Sequence, residues 1–181
     1  MRLSEEEKRF LLSLSRKVLE LWVKEGKRYE IKAAPPTLLQ KRGVFVTLRK
    51  NGMLRGCIGY PFPIKTIVEA VVDNTINAAS EDPRFPPVQP HELTEITIEI
   101  TVLGEFQPIN NIKDIIIGKH GLYLENGWYS ALFLPSVPVE QRWSREEYVQ
   151  HLCEKAGLSR DCWRDKNTRL YVFEGEEFGE D

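Results

Sequence analysis

The spacing of hydrophobic positions changes several times along the chain, and each change marks an element. In "SEEEKRFLLSLSRKVLELWVKEG", residues 4–26, Phe10, Leu11, Leu14, Val18, Leu21 and Trp22 recur at helical spacing. Ser4 with Glu7 reads as a capping box and Gly26 as a C-cap, so the segment is an amphipathic helix packed on the body. After a loop with Pro35 and Pro36, "GVFVTLRKNGMLRGCIGYPFP" holds two β-rich runs around Asn51-Gly52, a strong signal for a two-residue hairpin turn. "IKTIVEAVVDNTINAASED" predicts a second helix, with Ile64, Ile67, Val68, Val71, Val72 and Ile76 inward and Lys65, Glu69, Asp73 and Asn77 outward. It stops near Asp82, because Pro83 disfavours helix in the residue before it.

A stiff loop, "DPRFPPVQPHEL", leads into "TEITIEITVLG", which alternates strictly and reads as a half-exposed antiparallel strand with Ile96, Ile98, Ile100 and Val102 on one face. "GLYLENGWYSALFLP" gives a second hairpin around Asn126-Gly127, "SREEYVQHLCEKAG" a helix capped by Ser144 with Glu147, and "TRLYVFE" a closing strand. The acidic tail "GEEFGED" reads as frayed. The order strand, Asn-Gly turn, strand, proline, helix, strand thus occurs twice, over residues 43–103 and 121–174. The reading is one α+β domain over residues 1–181, built of antiparallel sheets with flanking helices, with a possible internal duplication of the hairpin-helix-strand unit.

Composition adds limits. The chain has 181 residues, 41% of them apolar and 29% charged, ordinary values for a soluble protein with a real core. With 25 Lys and Arg against 27 Asp and Glu, it does not carry the charge of a protein that binds by neutralising many phosphates. Cys57, Cys153 and Cys162 form no C-x-x-C pair, which suggests neither a disulfide framework nor a zinc ribbon. Together with a charged N-terminus and no long apolar run, this gives the expectation of a cytoplasmic protein away from membranes.

Four ordered motifs carry a resemblance: "LRGCIG" at residues 54–59, "DPRF" at 82–85, "FLPSVPVE" at 133–140 and "KAGL" at 155–158. Over roughly residues 10–178 the chain resembles the AMMECR domain family, named for a human chromosomal region linked to Alport syndrome, midface hypoplasia and elliptocytosis. The resemblance implies an α+β protein with a larger and a smaller lobe. It implies no firmly assigned activity. Some prokaryotic members are similar to components of a system with a Memo-type protein and a radical S-adenosylmethionine protein, which points toward a metabolic or modification pathway. Ser136 stands where the family more often has glutamine.

The candidate chemistry centres on residues 51–60. In a regular strand Arg55 and Cys57 are same-face neighbours, and a two-residue turn puts Leu48 opposite Arg55 and Val46 opposite Cys57. Cys57 is then either a small buried hydrophobe or a thiolate whose pKa the guanidinium lowers. Arg55 is either half of a structural ion pair or an anion-recognising fork. Gly56 and Gly59 suit close approach by a ligand or by a packed helix. Asp82, Arg84 and Phe85 sit on a loop stiffened by Pro83, Pro86 and Pro87, either as a presented binding edge or as a braced connector. His120 and His91 are the available acids or bases, and the three histidines lack metal-ligand spacing. No nucleotide-binding or hydrolase fingerprint indicates a cofactor.

Two classes of function follow. In the first, the protein is a binding or accessory module whose cleft recognises an anionic small molecule, a nucleotide or a partner protein. In the second, it is an enzyme with Cys57 as nucleophile and His120 or His91 as acid or base. RNA binding is a lesser variant, limited by net charge.

Overall fold

The computed structural model describes residues 2–181, and the chain divides into two compact units. The first comprises the residues up to Leu103 together with Glu176–Asp181, and the second is Gly104–Gly175. Each is an antiparallel sheet with helix packed on it.

In the first unit, α1 (Glu5–Glu25) begins at the Ser4–Glu7 capping box and ends at Gly26, whose φ of 66° is the left-handed cap glycine allows. Strands β1 (Val44–Lys50) and β2 (Met53–Tyr60) form the first hairpin. Its turn is Asn51-Gly52, both residues at positive φ (51° and 82°), as the tight turn of a right-twisted hairpin requires. Helix α2 (Ile67–Ser80) follows, capped by a Thr66–Glu69 box, and β3 (Ile96–Leu103) then pairs with β1. The strand order is β2-β1-β3. Val44, Val46, Leu48, Ile98, Ile100 and Val102 are fully buried on the face covered by α1 and α2. A buried hydrogen bond of 2.7 Å joins Ser15 Oγ of α1 to Thr75 Oγ1 of α2, and Asn74 Nδ2 donates to the Val44 carbonyl at 3.2 Å.

The second unit holds β4 (Gln107–Ile109), β5 (His120–Asn126), β6 (Tyr129–Phe133), α3 (Val137–Gln141), α4 (Arg145–Lys155) and most of β7 (Arg169–Gly179). Its strand order is β4-β7-β5-β6, so β6-β5-β7 repeats β2-β1-β3, with a helix before the last strand each time. Leu122, Leu124, Tyr148, Val149 and Leu152 form its core. No helix is long and apolar enough to cross a membrane among the described residues.

Several expectations need correction. Cys153 and Cys162 form a disulfide, nine residues apart in sequence, so the cysteines do not support the expectation of a cytoplasmic protein. Helix α2 begins at Ile67 rather than Ile64, because Thr66 caps it and Ile64 is 62% exposed. Asp73, expected outward, is buried; Arg28, Lys65 and the Tyr60 hydroxyl all bind its carboxylate and hold it charged, its pKa lowered by the Lys65 and Arg28 hydrogen bonds against the burial that pushes it up. Lys65 is therefore engaged, not simply solvated. Asn126 pairs with Tyr129, which makes Gly127-Trp128 the turn of the second hairpin. The tail is not frayed: β7 runs to Gly179, Glu180 N–H donates to Ile98 O at 2.9 Å, and Arg16 pairs with the Glu180 carboxylate at 2.6 Å. The short β4 and α3 carry no periodicity long enough to be read from sequence.

Candidate functional site

Strand β2 pairs only with β1 within its unit, and its register slips by one residue: Leu48 faces Gly56 while Arg49 faces Leu54. Arg55 is the extra residue of this β-bulge, which re-aims a side chain where the ladder is interrupted. The expected pairs Leu48–Arg55 and Val46–Cys57 are replaced accordingly, and Cys57 lies opposite Thr47, whose Oγ1 is 3.1 Å from Cys57 Sγ. The neighbour of the thiol is thus a hydroxyl rather than an aliphatic chain.

The bulge sends Arg55 to Glu92. Nε meets Oε1 at 2.9 Å and Nη2 meets Oε2 at 3.0 Å, a bidentate pair with both side chains about nine-tenths buried. The same guanidinium donates to the Pro86 carbonyl at 2.9 Å and the Pro87 carbonyl at 3.4 Å. Lys50 Nζ, at 3.1 Å, and the Gln89 N–H, at 2.8 Å, complete the shell of Glu92. The Arg55 pair above all, with these two donors, holds the Glu92 carboxyl at about 2 against burial. Of the two readings from sequence, an ion pair or an anion-recognising fork, the structure gives Arg55 the ion pair, whose partner Glu92 the sequence reading does not name; its spacing three residues after Gln89 is the available signal.

The loop so fastened carries the second cluster. Asp82 is 4% exposed and accepts three kinds of donor: Arg84 Nε and Nη2 at 3.0 and 2.8 Å, the Arg84 N–H at 3.0 Å, and the outward backbone N–H of Cys57 at 3.0 Å. Arg84 foremost, with the two N–H groups, holds its carboxyl at about 2. Asp82 in turn raises the Arg84 pKa, to which the charge of Cys57 also contributes. The Arg84 side chain is 55% exposed. The Phe85 ring centroid lies 5.6 Å from the Arg84 guanidinium carbon and 6.0 Å from that of Arg55, within cation–π range. One buried carboxylate thereby fixes a half-exposed guanidinium and the backbone beside a partly buried thiol, with the Phe85 ring next to the guanidinium.

The remaining predicted residues fall elsewhere or have packing roles. A Cβ on Gly56 would lie 2.1 Å from the Ala78 carbonyl oxygen, so this glycine lets α2 press onto β2. One on Gly59 would meet the Phe45 ring at 2.3 Å. His120 belongs to the second unit, where its Nδ1 accepts the Ile116 N–H at 3.0 Å and braces a turn; burial first of all lowers its pKa. His91 is exposed beyond the proline loop, and His151 stacks on Trp143 at 4.0 Å.

Comparison with known proteins places these residues in a family. The model for AMMECR1 matches residues 12–178. The chain belongs to the AMMECR1 family. A protein of Thermococcus gammatolerans is 46% identical over 99% of this chain and 93% of its own, and Protein MK0488 of Methanopyrus kandleri is 44% identical over 99% and 91%. The crystal structure of the uncharacterized protein PH0010 from Pyrococcus horikoshii superimposes with a TM-score of 0.96 at 42% identity, covering 100% of this chain and 95% of that one. The Pyrococcus horikoshii protein shares the fold, and the names of these relatives give no activity.

Proposed function

We propose that this AMMECR1-family protein is a binding or accessory module that recognises an anionic ligand through the Cys57, Arg84 and Phe85 surface of its first unit. One observation carries the reading: buried Asp82 uses both oxygens to fix Arg84 and the Cys57 backbone, yet leaves the guanidinium half exposed. With Nε and Nη2 already donating to Asp82, the Nη1 edge is left to donate to a carboxylate or phosphate with little further ordering, which is where preorganisation adds affinity. Arg55 takes a positioning role in this account, since its donors are committed to Glu92 and the Pro86 and Pro87 carbonyls.

The enzyme reading draws less support. Cys57 has Thr47 and the Asp82–Arg84 pair beside it, and His120, the base proposed for it, serves as a turn brace in the other unit. The test is calorimetric titration of the whole chain with pyrophosphate, adenosine diphosphate and citrate. At least one should bind saturably, and Arg84→Ala should weaken it at least about tenfold, roughly 1.4 kcal/mol, with Arg84→Lys in between. An Arg84→Ala protein that keeps full affinity, or a wild type that binds none of the three, sinks the proposal.

A further inference from the structure

The chain doubles back along α1 after Gly26, and residues 26–35 form neither helix nor strand. Arg28 fastens this segment to buried Asp73, and Tyr29, Ile31 and Ala34 pack partly against the core. A cavity of about 260 Å³ remains between the segment and α1. Its apolar wall comes from Phe10 and Leu14 on the helix and Ile31 on the segment. Helical period puts residues 10, 13, 14 and 17 on one face of α1, so Ser13 and Lys17 line the same opening. Tyr29 and Lys32 line it from the other side.

These four polar side chains share a property. Among the described residues, none of the Ser13 hydroxyl, the Lys17 ammonium, the Tyr29 hydroxyl and the Lys32 ammonium makes a hydrogen bond or ion pair with protein. Three other cations of these two segments are paired: Lys8 with Glu5, Arg16 with Glu180 and Arg28 with Asp73. An apolar-walled cavity with a few convergent polar groups is the general form of a small-molecule site, and this one lies just below the size that holds a drug-sized ligand. Two ammoniums on one rim favour a ligand of negative charge.

We infer that this cavity binds a small amphipathic anion, with an apolar body against Phe10, Leu14 and Ile31 and a carboxylate or equivalent head held by Lys17 and Lys32. Burial of the apolar body supplies affinity, and the ammoniums select the anion over its uncharged counterpart. The site is independent of the Arg84 surface, so Arg84→Ala leaves it intact.

Sodium octanoate, with 1-octanol as the uncharged probe, tests the inference by titration of the whole isotope-labelled chain. Octanoate should shift the backbone amides of residues 10–17 and 29–33 saturably and bind more tightly than octanol. The Lys17→Gln/Lys32→Gln protein should lose at least about tenfold in octanoate affinity while binding octanol as before. Both ammoniums are exposed, so its thermal midpoint should match the wild type; if it does not, the two single variants are read by the same titration. Shifts scattered over the surface without saturation, equal affinity for octanol, or undiminished octanoate binding by the lysine variants would overturn it.

Discussion

Replacing Arg55 by methionine tests whether the bulge arginine is a brace. The substitution keeps the stem's apolar packing and removes the guanidinium, leaving the buried Glu92 carboxylate with Lys50 and the Gln89 N–H. Holding Glu92 at about 2 instead of its ordinary 4.5 is worth about 3 kcal/mol, of which Arg55 supplies the largest share. Breaking a buried pair from one side costs about 3–5 kcal/mol when nothing replaces the partner. Lys50 is a partial replacement, so the expected loss is about 2–3 kcal/mol at pH 7. The sign of the pH dependence follows from the lowered carboxyl: its contribution is fully present above about 4.5 and disappears as pH falls toward about 2. The difference between wild type and variant should therefore shrink on acidification through that window. Urea unfolding at pH 7 and pH 3 measures both, and Glu92→Gln closes a double-mutant cycle. A loss under about 0.5 kcal/mol at pH 7, or one undiminished at pH 3, would refute the brace.

Gly56→Ala forces a Cβ to within 2.1 Å of the Ala78 carbonyl and should destabilise by about 1–3 kcal/mol or more, read as a lowered thermal midpoint. Reducing the Cys153–Cys162 disulfide opens a short loop and should remove about 2–3 kcal/mol on the chain-entropy account, seen as a fall in midpoint with dithiothreitol that Cys153→Ala/Cys162→Ala abolishes. Alkylation of native, unreduced protein should mark Cys57 alone, more slowly in Arg84→Ala because the nearby guanidinium favours the thiolate; labelling unchanged by that substitution would separate the thiol from Arg84.

How much of this was legible in the sequence depends on the range of the interaction. Both hairpins and the α1 and α4 caps follow from local signals; the structure keeps the Asn51-Gly52 turn and the two Ser-x-x-Glu boxes, while the second turn moves one residue on to Gly127-Trp128. The bulge at Arg55 is not local. It depends on Glu92, 37 residues away, and on α2 pressing onto Gly56, so an alternation rule carried the wrong cross-strand neighbours to Cys57. Asp73 was misplaced for the same reason: helical period puts it outward, but Arg28 and Lys65 reach it and neutralise a buried charge. The Cys153–Cys162 disulfide joins α4 to a turn beyond it, a proximity that no cysteine-pair motif announces. The "DPRF" loop was recognisable as stiff and charged. That Asp82 is its buried hub and Arg84 its exposed fork required coordinates.

The central claim is that Arg84 meets the ligand while Arg55 only holds the loop, and arginine side-chain nuclear magnetic resonance separates the two. The Nε–H of each is hydrogen-bonded to its own carboxylate, Arg84 to Asp82 and Arg55 to Glu92, so both should give protected, resolvable signals. On titration with the anion that binds best in calorimetry, the account predicts a saturable shift at Arg84 with a smaller or absent one at Arg55, at the concentration that titrates the heat. A shift at Arg55 with Arg84 unmoved, or no shift at either while the anion binds, would contradict it.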